Sequence, residues 1–132
     1  MNIQFFDESD HTPRMREDVR LLRTRLEVAP EGKRVAIDFE LTPFIERPTI
    51  ELRLFDDEQR PAGLLKIIET LDTFNRVVMH LRDSQTTSHY TFNIRVYFAN
   101  IDEDMQRMDV DEQSQRFEWS PGNVVNWENQ GN

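Results

Sequence analysis

Between Tyr90 and Phe98 the chain reads Tyr-Thr-Phe-Asn-Ile-Arg-Val-Tyr-Phe, with Tyr90, Phe92, Ile94, Val96 and Phe98 at one parity and Thr91, Asn93, Arg95 and Tyr97 at the other. A period of two over nine residues is the signature of a strand with one wet and one buried face, and no helix tolerates it. Four further segments alternate in the same way. Val35, Ile37, Phe39 and Leu41 form one inward row, Ile50, Leu52 and Leu54 a second, and Val77, Met79 and Leu81 a third, with Arg76, Val78, His80 and Arg82 outward. The fourth, residues 19–28, is ambiguous. Met15, Val19, Leu22 and Leu26 stand at helical spacing, whereas Leu22, Thr24, Leu26 and Val28 alternate with Arg23, Arg25 and Glu27. The turn at Ala29-Pro30-Glu31-Gly32, followed at once by an alternating run, favours a strand and a hairpin. That hairpin sets Arg23 and Arg25 against Asp38 and Glu40 on the outer face.

Shorter runs at 64–69 and 116–119 bring the expected total to about seven strands. With no long helix between them, parallel βαβ units are excluded, and the predicted fold is all-β: two antiparallel sheets whose inner faces share one core. Residues 1–18 are expected to be an N-terminal arm, 19–119 the β-sandwich domain and 120–132 a flexible C-terminal tail. At 132 residues, one domain can bury about two thirds of its unfolded surface without covalent staples.

Val77-Val78-Met79-His80-Leu81-Arg82, a polar loop and then Tyr90-Thr-Phe-Asn-Ile-Arg-Val together resemble strands E and F of immunoglobulin-like and fibronectin type III-like sandwiches. In those domains a tyrosine opening strand F turns its hydroxyl back onto the preceding corner, a place that falls to Tyr90 here. The resemblance covers roughly residues 19–99. It departs from antibody domains at Phe92, where they carry cysteine, and in a third strand without tryptophan. It implies an architecture and, more loosely, a surface offered to partners.

Chemistry is sparse. The 25 acids outnumber the 16 cations for a net charge of −9, which repels phosphate backbones and anionic lipid, so neither nucleic acid nor membrane is an expected partner. The absence of cysteine removes thiolate chemistry and disulfides and points to a reducing compartment, the cytoplasm by default. The first residues carry acids where a signal peptide needs cations. There is no Gly-x-Ser-x-Gly, no phosphate-cradling glycine loop and no His-Glu-x-x-His, so no catalytic residue or cofactor is assigned. His11, His80 and His89 read as solvated surface residues.

One cluster offers an alternative. Asp102, Asp104, Asp109 and Asp111, in the acidic stretch 102–112, resemble the aspartate loops with which C2-type sandwiches hold calcium, with Asp56 and Asp57 as a second source of ligands. Against this stands a plain solvated connection, one or two helical turns with Asp102 as N-cap and Ile101, Met105 and Met108 on the buried side. Phe55, Val78 and Tyr97 fall on outer faces, to be covered by Phe5 and Phe6 of the arm, by Trp119 or Trp127, or by another chain. The expectation is therefore a non-catalytic protein-interaction or accessory domain, its partner another protein or a second copy of itself.

Overall fold

The structure is a computed structural model, and it describes residues 12–100 and 106–128. Within these, eight strands follow in chain order: β1 (Leu21–Val28), β2 (Arg34–Leu41), β3 (Thr49–Asp56), β4 (Pro61–Ile67), β5 (Phe74–His80), β6 (His89–Asn100), β7 (Gln106–Glu118) and β8 (Val124–Glu128). They form two antiparallel four-stranded sheets, one in the order β5-β2-β1-β8 and the other β4-β3-β6-β7. The placement of β2 beside β5 and the run β3-β6-β7 reproduce the B–E pair and the C-F-G sheet of the immunoglobulin-like sandwich. The two strands compared with E and F lie in opposite sheets, as that fold requires.

The inner parities meet in one core. Val35, Ile37 and Phe39 of one sheet face Ile50, Leu52, Leu54, Phe92, Ile94 and Val96 of the other, all excluded from solvent. Trp119 plugs the end of the sandwich where β1 turns into β2. Its indole N–H donates to the Gly32 carbonyl at 2.9 Å, and its ring leans on Tyr90 at a centroid distance of 5.2 Å. Along one flank the two sheets approach closely, and a Cβ on Gly63 of β4 would stand 3.2 Å from Met79 Cε of β5.

Tyr90 opens β6 fully buried, and its hydroxyl accepts the Thr86 N–H at 3.1 Å, four residues upstream. In the first hairpin Arg23 stands opposite Glu40 and Arg25 opposite Asp38. The helical spacing of Met15, Val19, Leu22 and Leu26 has no counterpart beyond a single 3-10 turn at Arg16–Asp18. At the start of β1 the register slips between Leu21 and Arg23, so Leu21 is buried and Leu22 only half-buried. A bulge reverses parity, and this is why Leu22 misleads as an inward residue.

Two expectations are corrected. The acidic stretch forms neither a loop nor a helix from Gln106 onward but the first half of β7, hydrogen-bonded to β6, with Val110 as the extra residue of a bulge between Asp109 and Asp111. Asp102, its proposed N-cap, lies outside the described residues. The tail expected to be mobile contributes β8, which pairs with β1 from Arg23↔Glu128 to Glu27↔Val124. Trp127 supplies the reason. Its ring meets Phe92 edge-on at 6.3 Å and its indole N–H donates to Gln113 Oε1 at 2.7 Å, which ties the edge of one sheet to the edge of the other.

Candidate interaction surfaces

The outer face of the β4-β3-β6-β7 sheet is closed by its own side chains. Arg53 donates to Asn93 Oδ1 at 3.2 Å, and the Asn93 amide donates to Glu112 at 2.8 Å and to Ser114 at 2.9 Å. The Asn93 hydrogen bond, aided by Arg95, holds the Glu112 carboxyl below its usual range against some opposing desolvation. The Arg107 guanidinium lies 4.2 Å from the centre of the Tyr97 ring, and Arg53 covers Phe55 at 5.3 Å. Of the three outward apolar residues, Phe55 and Tyr97 are thus covered by arginines rather than by Trp119 or Trp127, and Val78 stays exposed. Phe5 and Phe6 lie outside the described residues.

The proposed calcium ligands that are described, Asp109, Asp111, Asp56 and Asp57, each have other partners. Asp102 and Asp104 are outside the described residues. Asp109 accepts from Arg107 Nε at 2.8 Å, while Asp111 accepts the main-chain N–H groups of Leu21 at 2.8 Å and Glu112 at 2.9 Å. Asp56 is buried and accepts from the Arg60 and Glu58 N–H groups and from Arg60 Nε, each at 2.9 Å. The Arg60 N–H in particular keeps its carboxyl below the ordinary value. This cap holds the β3–β4 turn, where Gln59 sits at φ 67°. Asp57 pairs with Arg116 at 3.0 Å. No group of three or more metal-ligating side chains is assembled among the described residues. His80 is exposed on β5, His89 lies 2.9 Å from Ser88 Oγ, and His11 falls outside the described residues.

The connection between β4 and β5 inverts the usual partition of side chains at Thr70, Ile68 and Leu71, while Glu69 and Asp72 are exposed as polar residues ordinarily are. Thr70 is buried, its N–H donating to the Pro48 carbonyl at 2.9 Å and its hydroxyl to Asn75 Oδ1 at 3.2 Å, while the Glu69 N–H reaches Thr49 Oγ1 at 3.3 Å. The apolar groups are turned outward, with Ile68 and Leu71 each 74% exposed. Leu64 on β4 and Ile45 in the β2–β3 connection are also largely exposed. Glu69 takes a left-handed φ of 52°, a conformation that costs a side-chain-bearing residue about 1 kcal/mol. The backbone is fixed by these hydrogen bonds, so the exposure of Ile68 and Leu71 belongs to a shaped corner. The doublets Leu64-Leu65 and Ile67-Ile68 are the sequence signal that points here, since alternation can bury only one of each pair.

The outer face of the β5-β2-β1-β8 sheet carries a trough of about 290 Å³ that crosses all four strands. Phe74 of β5 stands at one end and Asn126 and Glu128 of β8 at the other, with Arg23, Arg25 and Asp38 between. The Asp38 carboxylate receives Arg76 Nε at 2.7 Å and Nη2 at 3.2 Å, and Arg23 Nε donates to Glu40 at 2.6 Å. None of Phe74, Asn126 and Glu128 is singled out by sequence reasoning, Phe74 because it only opens a strand, and Asn126 and Glu128 because the tail is not expected to be a strand at all.

No family model matches the chain, and no curated protein does. Solved structures do. A β-glucuronidase from Parabacteroides merdae superposes with a TM-score of 0.54 at 12% identity, over 76% of this chain and 13% of that one. A glycosyl hydrolase family 2 member from Bacteroides cellulosilyticus gives 0.51 at 10% identity, over 76% of this chain and 15% of the other. At such identity the likeness is one of fold, an immunoglobulin-like sandwich. The chain spans only a small part of the length of either enzyme.

Proposed function

We propose that the chain is a non-catalytic accessory β-sandwich domain that docks a protein partner through the corner between β4 and β5. The observation that carries this reading is the inverted connection, in which Thr70 is buried and satisfied while Ile68 and Leu71 are held out in water. Large apolar side chains on a fixed backbone cost solvation in the free molecule and recover it when a complementary surface covers them. The small share of the neighbouring enzymes that the fold matches supports an accessory role, because the likeness is confined to a module-sized part of each. A net charge of −9 favours protein over nucleic acid or anionic membrane as the partner. The lack of cysteine fits a reducing compartment such as the cytoplasm.

The test is affinity capture from native lysate with the wild-type chain and an Ile68→Ser, Leu71→Ser double variant in parallel, alongside sedimentation of each alone. Both residues are exposed, so the variant keeps the wild-type melting temperature within a few degrees. A protein held by the wild type and lost by the variant supports the assignment, as does a dimer that the variant abolishes. Equal retention by both chains, or no partner and a monomer in each case, refutes the corner as a docking surface.

A further inference from the structure

The trough on the β5-β2-β1-β8 face is a second site, independent of the corner. Its length follows from strand spacing: four strands about 4.8 Å apart span about 14 Å, room for an elongated ligand lying across them. Its chemistry is divided. At one end the Phe74 ring is 57% exposed and offers an apolar face with negative quadrupole charge. Over the rest, charges balance, with the guanidiniums of Arg23 and Arg25 against the carboxylates of Asp38 and Glu128, and Glu40 and Arg76 adding one charge of each sign beside them. The ion pairs Arg23–Glu40 and Arg76–Asp38 fix these charged groups beside one another on the face. Arg23 gives Glu40 only its Nε, and among the described residues no hydrogen bond is donated by the Asn126 amide or accepted by the Glu128 carboxylate.

That inventory discriminates between ligands. An anion would face Asp38 and Glu128, a cation would face Arg23 and Arg25, and a wholly apolar molecule would strip water from all four. A hydroxyl suits every one of them, since it accepts from a guanidinium or amide and donates to a carboxylate. A ring that carries hydroxyls at its rim and polarised C–H groups on its face also matches Phe74. We propose that this trough binds a neutral, pyranose-containing oligosaccharide, with one sugar face on Phe74 and hydroxyls on Arg23, Asn126 and Glu128.

Amide-resolved NMR titration of the full chain tests this, with neutral mono- and trisaccharides of glucose, galactose and mannose, a uronic acid and inorganic phosphate as the probes. The expected result is saturable shifts from a neutral trisaccharide, grouped on β5, β2, β1 and β8 around the trough, with the matching monosaccharide at least tenfold weaker. Phe74→Ala weakens the trisaccharide at least tenfold and Phe74→Trp restores it. Asn126→Ala, a second exposed position, gives a smaller loss that does not depend on Phe74. The proposal is overturned by the absence of saturable shifts with every neutral saccharide, by binding that Phe74→Ala leaves unchanged, or by binding confined to the uronic acid or phosphate.

Discussion

Thr24 occupies an inward position of β1 that alternation assigns to a core residue, and its hydroxyl is buried without a hydrogen-bond partner among the described residues. An orphaned hydroxyl forfeits its hydration and gains nothing in return. Thr24→Val keeps the β-branched shape and is expected to raise the unfolding free energy by about 1 kcal/mol in urea titration with unchanged slope. Tyr90 is the opposite case, a buried hydroxyl with a partner. Tyr90→Phe preserves the ring on Trp119 but leaves the Thr86 N–H unpaired, for an expected loss of about 1 to 2 kcal/mol by the same measurement. A Tyr90→Phe variant as stable as the wild type would show that the corner hydrogen bond contributes no net stability.

At the scale of elements, β7 and β8 depart most from the sequence reading, and for one reason. Both are edge strands, with half their backbone groups unpaired and little apolar area to bury, so selection leaves them polar. The bulge at Val110 then reverses the parity of β7 halfway along, which erases the alternation that a strand would otherwise show. Besides the ladder with β1 and the packing of Val125, one large side chain anchors β8. Trp127→Ala removes the contact with Phe92 and the hydrogen bond to Gln113, with an expected cost of about 2 to 3 kcal/mol and faster hydrogen exchange at β8 amides than at β6 amides. Exchange in β8 as slow in that variant as in the wild type would mean that the backbone ladder alone secures the strand. The corner residues Ile68 and Leu71 escape attention for a related reason, since a run that is apolar at both parities does not say which parity faces in.

For the whole molecule, the partnered carboxylates set the response to acid. Glu112 is held below the usual carboxylate range by Asn93, Glu46 by its hydrogen bonds from Arg16, Glu31 by Arg34, and Asp56 by the Arg60 N–H. A depressed carboxylate binds its proton more readily in the unfolded chain. Its stabilisation is therefore complete above the unfolded value, about 4, and is lost as pH falls through the lower folded value. The melting temperature is expected to stay level or rise slightly from pH 7 to 5, as self-repulsion within a chain of net charge −9 eases, and to fall below about pH 4. A melting temperature still rising at pH 3 would show that relief of repulsion outweighs the native carboxylate partners.

The residues by themselves determined the class of fold, because a period of two along Tyr90–Phe98 and its companion runs leaves no helical alternative for that much apolar surface. They also put arginines and acids on the same outer face of the first hairpin, whose register the structure then sets, while the corner place of Tyr90 comes from the resemblance to strands E and F. Tertiary structure decided the rest: that Val124–Glu128 is a strand, that Arg107 and Arg53 cover Tyr97 and Phe55, and that Phe74 and Asn126 share one trough. These facts concern which edges and faces meet across the sandwich. Such meetings are fixed by sheet order and by bulges, and local alternation carries no information about either.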